Sequence, residues 1–146
     1  MPKNTRYQSP KASLDLINPA GLYNPSSNAY SHIAVCQGSG RLSFIAGQGG
    51  ETADGNLSAS FPQQVEQALD NLATALSAIG ADFSQLAKIT LFIVAHDEAK
   101  LAIWSRAFNA RLADHPAPAC TLIPVPRLAL DKMLIEIDAV VWQTGV

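Results

Sequence analysis

Leu134-Ile135-Glu136-Ile137-Asp138-Ala139-Val140-Val141-Trp142 is an apolar strand with carboxylates set into one of its faces. Side chains alternate along a strand, so Ile135, Ile137, Ala139 and Val141 point into a core while Glu136, Asp138, Val140 and Trp142 point the other way. Glu136 must therefore face water, a partner or a pocket. An unpaired carboxylate in apolar surroundings is costly unless it is protonated or finds donors, which makes a pocketed Glu136 a candidate for acid/base work. On a solvated sheet face it would be an ordinary surface residue, and the pattern alone leaves both open.

Upstream of this strand, Pro124, Pro126 and Arg127 mark a loop, and Ala119 to Ile123 reads as a shorter strand before it. Pro116 and Pro118 stop a helix that opens near Asp97 and carries Leu101, Trp104, Ala107, Phe108 and Leu112 as its apolar stripe. Leu86 to Ala95 is a near-continuous apolar run, the pattern of a buried strand. Ser60, Pro62 and Gln63 have the form of a helix start, with the Ser60 hydroxyl as cap and Gln63 reaching back to it. Phe61, Val65, Ala68, Leu69, Leu72, Ala75, Leu76 and Ile79 follow at helical spacing until Gly80 supplies the stop. Ile33 to Cys36 and Leu42 to Ala46, joined through Gly38-Ser39-Gly40, read as a hairpin. Residues 1–28, rich in Pro, Asn, Ser and Lys with a brief apolar element at Leu14 to Ile17, read as an irregular arm, and 29–146 as a single domain.

The order is hairpin, helix, strand, helix, strand, strand. That is an α+β pattern, with two helices on one face of a mixed sheet. No third helix remains for the other face, so further copies of the chain are expected to cover it, with clefts between subunits. Composition agrees. In 146 residues the hydrophobic share is 48% and the charged share only 15%, which leaves apolar surface in need of cover. Ten Lys plus Arg against 12 Asp plus Glu give a net charge of -2, with no basic cluster to track a phosphate backbone, so no nucleic-acid partner is expected. The apolar runs are too short for a membrane span and the N-terminus lacks an apolar signal core, so a cytoplasmic protein with no membrane partner is expected. Cys36 and Cys120 form neither a metal-ligand spacing nor a disulfide framework, and both read as reduced. No spacing calls for a metal or a cofactor.

Several stretches together resemble the YjgF/Rid family, the reactive intermediate deaminases once labelled L-PSP endoribonucleases. They are Asn18-Pro19-Ala20-Gly21-Leu22, Ala29-Tyr30-Ser31-His32, Phe44-Ile45-Ala46-Gly47-Gln48, the run from Gln64 to Leu72, Lys88-Ile89-Thr90-Leu91-Phe92, His115-Pro116-Ala117, and Ile135 to Val140. Their order and spacing carry the likeness, over about residues 18–141. The resemblance implies a chorismate-mutase-like fold and a homotrimer with small-molecule clefts between subunits. It also implies hydrolysis of imines to a carbonyl compound and ammonia. On this likeness Tyr30 is the pocket tyrosine, the backbone N–H of Gly47 meets the ligand, the carbonyl of Cys120 holds a water, and Glu136 orients it.

Deaminase members carry an arginine two residues before the cysteine, where this chain has Pro118; Ala119 replaces a frequent serine, and Leu101 stands where an asparagine is common. Each change removes a donor. Hydrogen bonds to charged groups contribute about 1.5 to 3 kcal/mol, so loss of the arginine fork should weaken imino-acid binding by roughly tenfold to a few hundredfold. Leu101 and Pro118 then become apolar cleft wall, and Arg127 in the next loop is a candidate to enter the cleft from another side. His32 and His115 read as surface residues beside turns, His96 as a local polar partner at the start of the second helix, and Trp104 as core. Gly47-Gln48-Gly49-Gly50 lacks the ending of a phosphate loop, and nothing in sequence lowers the Cys120 thiol pKa. Two functions stay open: an imine hydrolase using Glu136, and a non-catalytic small-molecule-binding trimer.

Overall fold

The structure is a computed structural model and describes residues 11–146. In chain order its elements are β1 (Ser13–Ile17), β2 (Ile33–Gln37), β3 (Gly40–Gly49), α1 (Phe61–Ala78), β4 (Leu86–Val94), α2 (Glu98–Leu112), β5 (Ala119–Val125) and β6 (Ile135–Thr144). Buried and half-buried residues alternate along β6, as the sequence pattern requires. β6 lies inside a sheet ordered β3-β6-β4-β5, antiparallel to β3 and β4, while β5 runs parallel to β4. A parallel neighbour needs a crossover, and α2 provides it. The fold is α+β, two helices on one face of a mixed four-stranded sheet.

The helical face holds the core. Val65, Leu69, Leu72 and Leu76 of α1 and Trp104, Phe108 and Leu112 of α2 pack on Ile89, Leu91 and Ile93 of β4 and Ile135, Ile137 and Val141 of β6. Trp104 and Phe108 stack at 4.8 Å between ring centroids. Each such buried side chain contributes roughly 1.5–3 kcal/mol relative to exposure. Arg111 ties the helices together through Glu66 at 2.8 Å and Asp70 at 2.9 Å. The fully buried Gln64 donates to the carbonyls of Ser58 and Lys132 and accepts from the Leu134 N–H, fixing the entry into β6.

α1 begins where Ser60 accepts from the Gln63 N–H at 3.5 Å. The reciprocal half of the expected box is absent. The Ser60 N–H is already bonded to the Ser58 hydroxyl, so the Gln63 side chain accepts from Ser58 instead. Gly80, at φ +68°, turns the chain out of the helix in a conformation that suits glycine. α2 is capped by Asp97, which accepts from the Lys100 N–H at 2.8 Å. No helix among the described residues is long and apolar enough to cross a membrane.

The expected hairpin is corrected. Its two strands form, but β3 pairs with β6, while β2 pairs antiparallel with β1, from Ser13 opposite Gln37 to Ile17 opposite Ile33. The apolar element in the arm is thus a strand, not an irregular run. Ser31 bridges to Ala119 at the β5 edge, whereas Gly40 starts β3 at the opposite edge. β2 must therefore cross the sheet in between, and the ribbon lies with β2 against β4 and β1 against β6. Since the helices occupy one face, the ribbon crosses the other. That face is partly covered by the chain itself, which corrects the expectation of a face left wholly to other copies. Residues 1–10 of the arm lie outside the described residues.

Candidate functional site

Strand register sorts the predicted site residues into two groups. Cys120 stands opposite Ile89, which stands opposite Ala139, and both are core residues, so Cys120 belongs to the helical side. Glu136 stands opposite Phe92, which stands opposite Ile123, and belongs to the other side. One sheet separates them.

On the helical side a cavity of about 440 Å³ opens between α2 and the β4–β5 edge. Leu91, Leu101, Trp104 and Leu122 make its apolar wall, while Asn28, Tyr30, His96, Cys120 and Thr121 supply polar groups. Its size suits a small metabolite, and its lining contains no lysine or arginine. Burial, with smaller contributions from Tyr23 and Cys120, raises the Tyr30 phenol above its ordinary value. Burial likewise pushes the Cys120 thiol up to about 12, so it is protonated at neutral pH and unsuited to nucleophilic attack. Tyr30 and His96 each follow an alanine in the left-handed region, Ala29 at φ 58° and Ala95 at φ 48°. Such backbone costs of order 1–3 kcal/mol and persists only where its surroundings hold it.

On the opposite face, the β3–β6 pairing shifts between Ile45 and Gln48. The irregularity brings Gly47 against the half-buried Glu136 carboxylate, so closely that a Cβ at Gly47 would overlap it. A second concavity, about 430 Å³, lies beside them, with Phe44, Gly47, Lys88, Thr90 and Asp138 in its lining. Asp138 accepts from the Thr90 N–H at 3.0 Å. Phe44 is 76% exposed there.

The remaining candidates fall outside both. Pro118 is buried at the head of β5, where its carbonyl accepts from the Ser31 N–H at 2.8 Å. Arg127 stands in solvent, paired with Asp131 at 2.7 Å. Tyr30, Leu101 and Cys120 thus share a cavity, Gly47 and Glu136 share the far face, and Arg127 joins neither. Sequence reasoning missed Asn28 and His96 as lining residues. Their placement depends on left-handed turns at alanines, which carry no turn signal of their own.

Comparison with known proteins bears on this arrangement. The family model described as endoribonuclease L-PSP matches residues 23–143. The Rid-family protein YyfB from Yersinia pestis, described as of unknown function, is 32% identical in sequence, with a TM-score of 0.83 over 88% of this chain and 97% of that one. The structure of YJGH gives 28% identity and a TM-score of 0.65 over 91% and 98%. The RutC family protein YjgH of Escherichia coli K12 is 43% identical over 54 residues, a match spanning 37% of this chain and 41% of that relative. The chain belongs to the endoribonuclease L-PSP family, the YjgF/Rid family.

Proposed function

We propose that the protein binds a small, largely apolar metabolite in clefts between the subunits of a homotrimer. The observation that carries this is the division of the family-matched residues: Tyr30, Leu101 and Cys120 line one cavity while Gly47 and Glu136 lie across the sheet. They can act on one ligand only if the Glu136 face of a second copy closes the cavity of the first. The exposed Leu42 and Phe44 on that face supply apolar surface for such contact. The absence of lysine and arginine from the lining argues for a ligand other than a phosphodiester backbone.

The half-buried Glu136 carboxylate favours a second reading, hydrolysis. A water held by Glu136 would add to the carbon of a C=N bond and give up a proton to the carboxylate. From a protonated imine this gives a carbinolamine; the Glu136 carboxyl then returns the proton to its nitrogen, the C–N bond breaks, ammonia leaves, and the hydroxyl, losing its proton, becomes the C=O group. General-base assistance of this kind contributes typically about 10²- to 10⁴-fold. Ammonia release from freshly generated imines, comparing the parent protein with Glu136→Ala, tests it. A loss in the variant is expected; equal rates would remove Glu136 from the chemistry and leave binding alone. Gain of imino-acid hydrolysis in Pro118→Arg would mark an otherwise intact hydrolytic site.

A further inference from the structure

We propose that the ligand is an organic cation without a carboxylate, the ammonium or protonated imine of a small apolar body. The proposal rests on the reading that the Glu136 face of a second copy closes the cavity between α2 and the β4–β5 edge. Charge then decides the class. Among the described residues the cavity lining holds no lysine, arginine, aspartate or glutamate. The Tyr30 phenol and the Cys120 thiol, both raised by burial, stay protonated and neutral at neutral pH. His96 is the lining residue able to gain a positive charge, and histidines do so toward acid pH. Closure by Glu136 therefore adds the one full charge of the assembled site, and that charge is negative.

The cations of the neighbourhood are committed elsewhere. Lys100 donates to the carbonyls of Val94 at 2.7 Å and Ala95 at 2.8 Å. Arg127 stands in solvent with Asp131 at 2.7 Å. Lys88 shares the face of Glu136, but it stands opposite Val140 whereas Glu136 stands opposite Phe92, so the two are separated by roughly 13 Å along the strands. Asp138 lies between them, opposite Thr90. The next charge along the face from Glu136 is thus a second carboxylate. A ligand carboxylate would enter an enclosed site beside a like charge with no counter-charge to answer it, whereas an ammonium or iminium would meet its partner in Glu136. Leu91, Leu101, Trp104 and Leu122 take the apolar body.

The probes share one isopentyl body and differ in charge: isopentylamine is a cation, isocaproamide is neutral and isocaproate is an anion. Each is titrated calorimetrically into the full-length protein at about pH 8, above the range in which histidines ordinarily carry charge. Expected is that the amine binds roughly tenfold tighter than the amide, and the acid roughly tenfold more weakly than the amide. In Glu136→Gln the amine and the amide should come within about threefold of each other. Leu101→Lys, which sets an ammonium on the cavity wall, should reverse the order. The ranking in the unaltered protein decides the matter even where a variant fails to fold. Isocaproate binding as tightly as isopentylamine would overturn the cation assignment and spare the cavity as a binding site. An amine preference undiminished in folded Glu136→Gln would overturn Glu136 as its counter-charge. Binding of none of the probes would overturn the assignment and the binding reading together.

Discussion

The two faces of the sheet are built by the same strands yet obey different rules. The helical face is an apolar core in which the buried Gln64 has its partners, and a cavity with polar groups at selected points opens beside it. The opposite face carries Glu136, Asp138, Lys88 and the exposed Phe44, half-shielded by the β1–β2 ribbon. One face stabilises the chain; the other, on the function proposed above, meets a second copy. Alternation along β6 is what permits both, since neighbouring residues answer to different surroundings.

The sharpest way to break this contrast is a matched pair of truncations. Phe108→Ala, in the helical core, should cost about 3–5 kcal/mol in urea unfolding. Phe44→Ala should leave the stability of the isolated chain within about 0.5 kcal/mol and instead weaken self-association, read by sedimentation. Similar losses from both would mean that the far face is core as well.

A smaller effect comes from Cys120. Its folded pKa is raised by burial from an ordinary value of 9.0 to about 12, so the protonated thiol is what the fold favours. That contribution is whole below pH 9 and drains away as pH rises toward 12, with a slope of at most about 1.4 kcal/mol per pH unit. Urea midpoints of the parent should fall over this range more steeply than those of Cys120→Ala. Parallel curves would show a solvated thiol.

Gly47→Ala separates stability from the site. The added methyl displaces the end of a flexible carboxylate rather than backbone, so the cost in stability should stay below about 1 kcal/mol. Imine hydrolysis, where present, should drop as far as in Glu136→Ala. The least effect is expected at Arg127, exposed with its partner Asp131. Arg127→Ala should change stability by no more than about 0.5 kcal/mol and leave ligand binding unchanged.

Much of the sheet and both helices were legible because long runs of periodic apolar residues dictate a period of 2 or 3.6. Ser60 marked a helix start through its capping hydroxyl, Gly80 marked a helix end through its backbone freedom, and the second helix opened near Asp97 as expected. Strand pairing was less legible. The Gly38-Ser39-Gly40 turn permits a hairpin, but the apolar Leu14 to Ile17 segment takes β2 as its partner, a competition between distant segments that no local pattern reveals. Within the site, Tyr30, Leu101 and Cys120 were found through family likeness, and the structure sets all three around one cavity. His96 was legible only as a local polar partner at the start of α2, since its place on the cavity wall depends on a left-handed alanine and on a lysine four residues further on.

That the two halves of the site meet between copies is tested most directly by a crystal structure of the protein in its solution assembly. Expected is a trimer in which the Glu136 carboxylate of each subunit faces the Tyr30 and Cys120 cavity of the next. A monomer, or an assembly that leaves Glu136 in open solvent away from that cavity, would contradict it.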